Sequence, residues 1–345
     1  MGLRDEIHEQ PAVVARLIAS GREPIERIAA MLRARGVDEI VIAARGTSDH
    51  AAIYAQYVLG ARLAMPVALA APSLVTLYGV EPRFGRSAVV GISQSGESPD
   101  VVAVVAAARR QGAPTIAITN SPDSPLARAA DETIDLAAGD EQAVAATKTY
   151  TAELTAIALL AVALGGRDEA AEAALATLPS AVAGALEVEP TAERIATARS
   201  AIRGVVVLGR GFEYATAREW ALKLKELARL LADPYSSADF QHGPLALLEP
   251  GFPVFALAPS GPPADGQVAL LARLRADFDV DLVVVSDRDD ALELGDGLRL
   301  PAGVPDWLMP IVSIVPAQLV AFHLARARGL DPDSPRHIRK ITRTR

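Results

Sequence analysis

The chain has 345 residues, a formal net charge of −8 and no cysteine. Disulfides, thiolate metal sites and cysteine nucleophiles are thereby excluded for these residues. The negative balance argues against a general nucleic-acid partner, which needs a basic face. Half of the residues are apolar but only 4% are aromatic, which suits helices packed around parallel sheets, and the length calls for two domains.

Residues 1–37 read as a helical segment. The first twenty, MGLRDEIHEQPAVVARLIAS, carry acidic residues and lack a signal-peptide core. No charge-free apolar run of about 18 residues is expected to span a membrane. A cytoplasmic protein without a membrane partner is the expectation.

The first α/β unit is placed at residues 38–165. EIVIAARGTSDHAA (39–52) reads as strand, glycine turn and helix, with Arg45, Gly46, Thr47 and Ser48 at the turn. SAVVGISQSGESPDVVAVVAAARRQG (87–112) repeats the pattern. Ala88 to Ile92 is a buried strand by its apolar run. Ser98 suits an N-cap, Pro99 the first helical position and Gly112 the residue just past the helix. Ser93, Gln94, Ser95 and Gly96 therefore lie directly before a helix N-terminus, where free amides and the helix dipole favour an anion. Hydroxyls at Ser93, Ser95 and Ser98 and the amide of Gln94 add uncharged donors, so a phosphate can be held there without a lysine. Either turn alone is equally well an ordinary capping turn. Neither matches GxGxxG or a Walker sequence, so dinucleotide and ATP are not indicated, and no cofactor or metal is expected.

An alanine-rich helical connector is placed at 166–196 and a second α/β unit at 197–330. GVVVLGRGFEYATA (204–217) resembles 39–52, and ALAPSG (256–261) overlies GISQSG (91–96). Gly46 to Gly211 and Gly96 to Gly261 are both offsets of 165 positions, which reads as a duplication. The second copy has Ala258, Pro259 and Ser260 in place of Ser93, Gln94 and Ser95, and so has lost the anion turn.

Within the second copy, EWALKLKELARLLA is helical and puts Lys223 and Glu226 on one face; an ordinary surface ion pair satisfies the same spacing. His242, in QHGP, is placed near a helix beginning at Pro244, where a neutral imidazole is favoured. His8, His50, His323 and His337 form no metal-ligand pattern. The tail, 331–345, is rich in Arg and Lys and reads by composition as solvated.

RGTS, SQSGES, AVAATK (143–148), ALKLKE (221–226), DFQHGPLAL (239–247) and PRHIRK (335–340) occur in this order. Together they resemble the sugar isomerase (SIS) domain family, and within it the isomerase half of glucosamine-6-phosphate synthase, across nearly the whole chain. The resemblance implies an α/β fold of two tandem SIS units, flavodoxin-like, each a parallel sheet in a three-layer αβα sandwich. It implies a hexose 6-phosphate on the serine turn, Glu226 as the base moving a proton between C1 and C2, and Lys223 orienting the open-chain sugar. His242 is implied to assist ring opening in the site of a neighbouring subunit, and hence a homodimer. Lys340 is implied to close over the substrate, even as a Schiff base, which would overturn the solvated reading of 335–340. Val144 and Ala146 are implied sugar contacts. Ala146 stands where the family commonly has serine, and Arg45 where a small residue is frequent, which puts substrate choice in doubt.

The synthase has a further glutaminase domain with an N-terminal cysteine, which this sequence does not contain. Free ammonia is dilute, so mass action favours its release. The implied reaction is conversion of glucosamine 6-phosphate to fructose 6-phosphate and ammonia. The alternatives are a fructosamine-type 6-phosphate deglycase, a galactosamine-6-phosphate deaminase, an ammonia-dependent synthase, and a non-catalytic sugar-phosphate sensor.

Overall fold

Apolar runs such as AVVGI and VVVLG, bounded by glycine turns, form strands buried on both faces. In the computed structural model, which describes residues 2–340, ten strands make two five-stranded sheets, and β3 and β4 are buried throughout. The first contains β1 (Glu39–Ala43), β2 (Val67–Leu69), β3 (Ser87–Ile92), β4 (Thr115–Thr119) and β5 (Glu132–Asp135) in the order β2-β1-β3-β4-β5. All pairs are parallel; Ile42 lies opposite Val90, and Ile118 opposite Ile92. The second contains β6 (Gly204–Gly209), β7 (Leu231–Ser236), β8 (Pro253–Leu257), β9 (Asp281–Ser286) and β10 (Asp296–Arg299), ordered β7-β6-β8-β9-β10 and again parallel. The two topologies are the same, as duplication requires.

The helices in chain order are α1 (Leu3–Ala34), α2 (Thr47–Leu63), α3 (Ser73–Thr76), α4 (Pro99–Arg110), α5 (Pro125–Ala129), α6 (Lys148–Gly165), α7 (Glu169–Ala185), α8 (Glu189–Ala198), α9 (Glu213–Ala228), α10 (Ser237–Phe240), α11 (Ala264–Phe278), α12 (Asp289–Leu292) and α13 (Met309–Ala327). They flank the sheets, giving the αβα layering expected. By packing, one unit comprises 12–141, 148–176 and 339–340; the other comprises 2–11, 142–147 and 177–338.

In the first unit Val89, Val101, Val105, Ala117 and Leu126 form a core between sheet and helices. In the second, Val206, Leu208, Val254, Leu271, Leu274 and Val284 do the same. Burying each of these Val and Leu side chains stabilises its unit by roughly 1.5–3 kcal/mol before entropy is counted. At the start of the chain, Arg4 Nε and His8 Nε2 meet Glu189 at 2.7 and 2.8 Å, and His323 Nε2 meets it at 3.1 Å. Burial alone would raise that carboxyl, but these three partners hold Glu189 down at about 2.

The expectation about membrane-length segments needs correction. Lys148–Gly165, Glu169–Ala198 and Met309–Ala327 are each long and apolar enough to cross a membrane by length and composition. The first and third are 83% and 94% buried within the protein. Their apolarity is explained by packing: α6 lies on α2, and α13 on α8 and α9. Lys148 and Glu153 interrupt the first run, and Ser313, Gln318 and His323 the third, so neither reads as a continuous apolar stretch.

Candidate active site

The serine turn is built as the sequence predicts and differs in its hydrogen bonds. β3 ends at Ile92, and Ser93 N donates to Ile118 O of β4 at 3.1 Å. Gly96 has φ +63°, and a Cβ there would stand 2.0 Å from Ser124 Oγ, so only glycine lets the chain pass this close. Gly96 N donates to Ser93 O at 3.1 Å and to Ser93 Oγ at 3.2 Å, while Glu97 N donates to Ser95 Oγ at 3.3 Å. Leu126 N donates to Gly96 O, and Asn120 N to Gln94 O, each at 3.0 Å, which ties the turn to its neighbours.

Ser98 occupies the N-cap position of α4 but its side chain makes no cap bond. Its hydroxyl lies 3.3 Å from Ser93 Oγ. The local acceptor is instead Asp100, whose Oδ1 takes Val101 N at 3.0 Å. Asp100 is fully buried, and Arg45 Nε donates to its Oδ2 at 2.6 Å. The guanidinium is 48% exposed. The turn therefore has a charged pair at its edge, which a reading limited to uncharged donors does not foresee. Arg45 offsets a carboxylate that would otherwise repel an anion from the helix N-terminus.

At the preceding turn Gly46 is the N-cap of α2 with φ +56° and Thr47 is the first helical residue. Ser48 is buried, and its hydroxyl donates to Glu153 Oε1 at 2.7 Å. A hydroxyl has one proton, so with this bond made Ser48 can only accept from a ligand. Its expected part as a phosphate donor fits poorly; a sugar hydroxyl is the chemistry it suits.

Val144 and Ala146 are half-buried in the segment before α6. Lys148 closes that segment by donating from Nζ to Asp140 O at 2.6 Å. Beside it, Glu141 Oε1 accepts Thr149 N at 3.1 Å and Oε2 accepts Thr149 Oγ1 at 2.8 Å. Lys340 Nζ reaches Glu141 Oε2 at 2.5 Å. The end of PRHIRK is thus docked by an ion pair rather than left as a solvated tail.

In the second repeat, α9 carries Glu219, Lys223 and Glu226 on one face. Lys223 is fully buried; its Nζ lies 2.5 Å from Glu226 Oε2 and 3.3 Å from Glu219 Oε1. Burial opposes its charge, but the two carboxylates outweigh it and hold the ammonium above the ordinary lysine range. The glutamates differ: Glu219 is fully buried, whereas the Glu226 side chain is 23% exposed. The surface-pair reading is overturned, since a surface lysine is not fully enclosed.

His242 is exposed in the turn after α10, its N donating to Asp239 O at 3.0 Å. The helix expected from Pro244 is only a four-residue 3-10 turn, Pro244–Leu247. It offers little dipole to bias the imidazole, so that part of the expectation does not hold.

A profile of the SIS domain matches residues 35–163 and 201–328, one segment on each sheet. The chain belongs to the SIS domain family. Glutamine–fructose-6-phosphate aminotransferase [isomerizing] of Thermococcus kodakarensis is 37% identical over 344 residues, covering 97% of this chain and 56% of that protein. The chain therefore spans little more than half the length of such curated relatives. A candidate phosphosugar isomerase from Silicibacter pomeroyi DSS-3 superposes with a TM-score of 0.87 at 34% identity, covering 96% of this chain and all of the other. The C-terminal domain of glucosamine-fructose-6-phosphate aminotransferase from Francisella tularensis does so with a TM-score of 0.86 at 28% identity, covering 96% of each.

Four acidic residues of this SIS chain escaped the sequence reading: Asp100, Glu141, Glu153 and Glu219. Only Glu219 carried a signal, since it precedes Lys223 by four residues on the same helical face. The others pair with residues 55, 199 and 105 positions away.

Proposed function

We propose that the protein is an amino-sugar phosphate isomerase and deaminase, converting glucosamine 6-phosphate to fructose 6-phosphate and ammonia. The observation that carries this reading is the Glu219–Lys223–Glu226 cluster. It supplies one accessible carboxylate beside an ammonium that stays charged, which is what proton transfer next to a developing enolate oxygen needs. The Ser93–Ser98 turn and Arg45 supply the grip on the 6-phosphate.

In the open-chain sugar, Glu226 takes the proton from C2 and returns it to C1. O1 gains the proton that the amine nitrogen gives up, so the aldehyde at C1 becomes a CH2OH group and the amine carbon a C2=NH imine. Water adds to that imine and ammonia leaves. Lys223, fully enclosed and 2.5 Å from Glu226 Oε2, orients the open-chain sugar through that carboxylate. His242 assists ring opening from a neighbouring subunit, and Lys340 covers the sugar. Mixing inactive Glu226→Gln protein with inactive His242→Ala protein tests the subunit exchange, since hybrid dimers regain half of their sites.

The exposed guanidinium of Arg45 favours a second reading, a deglycase whose substrate bears an additional carboxylate. The deciding measurement is release of ammonia or amine across amino-hexose 6-phosphates and glycated-amine 6-phosphates, with fructose 6-phosphate and ammonia offered in reverse to detect synthesis. Glu226→Gln is expected to abolish turnover and keep sugar-phosphate binding. A protein that binds these sugars and turns none of them over is a sensor, and the proposal fails.

A further inference from the structure

β4 lies between β3, which leads into the serine turn, and β5, which leads into the loop that anchors Lys340. Its ladder to β3 ends with Ile118 opposite Ile92, and its ladder to β5 with Thr119 opposite Asp135. Asn120 follows directly and bonds on both sides. Its main-chain N donates to Gln94 O in the turn at 3.0 Å, and Thr119 Oγ1 donates to the same oxygen at 3.2 Å. Its side chain serves the other loop: Nδ2 donates to Gly139 O at 2.7 Å, and Oδ1 accepts Ala138 N at 2.9 Å. A carboxamide suits that place, because it donates to a carbonyl and accepts from an amide at once.

The loop held in this way is sharply bent. Ala137 has φ +48° and Gly139 has φ +72°, and a left-handed alanine persists only where surrounding bonds hold it. Arg16 Nε adds a bond to Ala137 O at 2.6 Å. Two residues beyond Gly139 comes Glu141, whose carboxylate takes Thr149 and Lys340 Nζ. The path from turn to chain end is therefore short: Gln94 O, Asn120, the 138–139 backbone, Glu141 and the lysine. Asn120 is the link that bonds both to the turn and to the loop.

We propose that Asn120 is a positioning residue that couples the two, so that an anion held in the Ser93–Ser98 turn steadies Lys340 on Glu141. The inference rests on the reading of that turn as the phosphate grip, and adds a regulation of the same site. An anion drawn to the amides of the turn restrains the Gln94 peptide, and through it the Asn120 main chain. The Asn120 carboxamide passes the restraint to residues 138 and 139. By linkage the coupling is reciprocal, so a docked Lys340 tightens the grip on phosphate by the same factor. An ordinary loop brace would fix residues 138–139 and leave the end of the chain indifferent to the anion.

The test is tryptic cleavage of the full chain at Arg336 and Arg339 in inorganic phosphate against chloride of equal ionic strength, with phosphate binding followed by calorimetry. Phosphate is expected to slow cleavage of the wild type by about fivefold or more. Asn120→Ala keeps the main-chain bond to Gln94 O and loses both side-chain bonds, so it should bind phosphate as the wild type does and lose the slowing. Equal slowing in the two proteins means that the anion acts on the chain end without Asn120, and overturns the proposal. Loss of phosphate binding in Asn120→Ala makes the residue part of the grip itself, and overturns the coupling role. Binding to the wild type without slowing overturns the proposal and leaves the phosphate grip standing, whereas no binding to the wild type refutes both. If Asn120→Ala does not fold, hydrogen exchange on the wild type decides: the Ala138 and Thr149 amides should exchange more slowly in phosphate, and unchanged exchange overturns the proposal.

Discussion

Lys340 Nζ lies 2.5 Å from Glu141 Oε2, and the Glu141 side chain is fully buried. That carboxylate also takes two bonds from Thr149, so its position is set before the lysine arrives. A charge-assisted bond of this kind is worth about 1.5–3 kcal/mol. Glu141→Gln is therefore expected to speed tryptic cleavage at Arg336 and Arg339 by about tenfold or more, with the two units still folded. An unchanged cleavage rate would show that the pair does not hold the end of the chain.

Ser93 and Ser98 separate a hydroxyl that holds the backbone of the turn from one that bonds only to its neighbour. Ser93 Oγ holds Gly96 N, whereas Ser98 Oγ makes no cap bond although it sits at the cap. Replacing a working N-cap serine by alanine costs about 0.5–2 kcal/mol. Ser98→Ala should leave the urea midpoint unchanged and raise KM for hexose 6-phosphates by about tenfold. Ser93→Ala should lower both stability and affinity. A Ser98→Ala protein that loses stability and keeps its KM would return Ser98 to a capping role.

Glu213 makes the second repeat less stable as the solution becomes alkaline. Its carboxyl is raised from 4.5 to about 7 in the fold, so between those values the folded chain holds a proton that the unfolded chain has lost. Stability conferred by that proton is present below the unfolded value and disappears as pH climbs through the folded one. The change is of order 3 kcal/mol between about pH 4.5 and 7, and flat above. Glu213→Gln, which mimics the neutral acid, should flatten this slope and exceed the wild type in stability at alkaline pH. Parallel slopes for the two proteins in sodium buffers would refute it.

The duplication and the parallel sheets were legible because they depend on patterns local in sequence. Apolar runs mark β3 and β6, and left-handed glycines recur at Gly46 and Gly211, with φ +56° and +60°. The serine turn was legible for the same reason, since its residues are contiguous. What could not be read was where each hydroxyl sends its proton. Ser48 gives its own to Glu153 on another helix, and Ser98 declines the cap its position offers. The first choice depends on a carboxylate 105 positions away and the second on Asp100 taking Val101 N, and periodicity carries no information about either. Lys223 shows the limit differently: spacing paired it with Glu226, while its complete burial depended on how α9 packs under α13.

Lys223 also yields the clearest separation of stability from chemistry. Its ammonium serves two carboxylates with different surroundings, Glu219 fully buried and Glu226 partly open. Removing the lysine takes the adjacent ammonium from the fully buried Glu219, and breaking a buried pair in this way costs about 3–5 kcal/mol. Lys223→Met should therefore unfold at markedly lower urea. The double variant Lys223→Met with Glu219→Gln should recover part of that loss, because the buried carboxylate that faced the ammonium is then neutral. Neither protein should turn over substrate if the ammonium is needed beside the proton-transferring carboxylate. Glu219→Gln alone should remain folded and lower kcat more than it raises KM, as expected of a residue that positions Lys223 without touching the sugar. If the double variant regains turnover along with stability, Lys223 is a structural ion and the chemistry assigned to it is wrong.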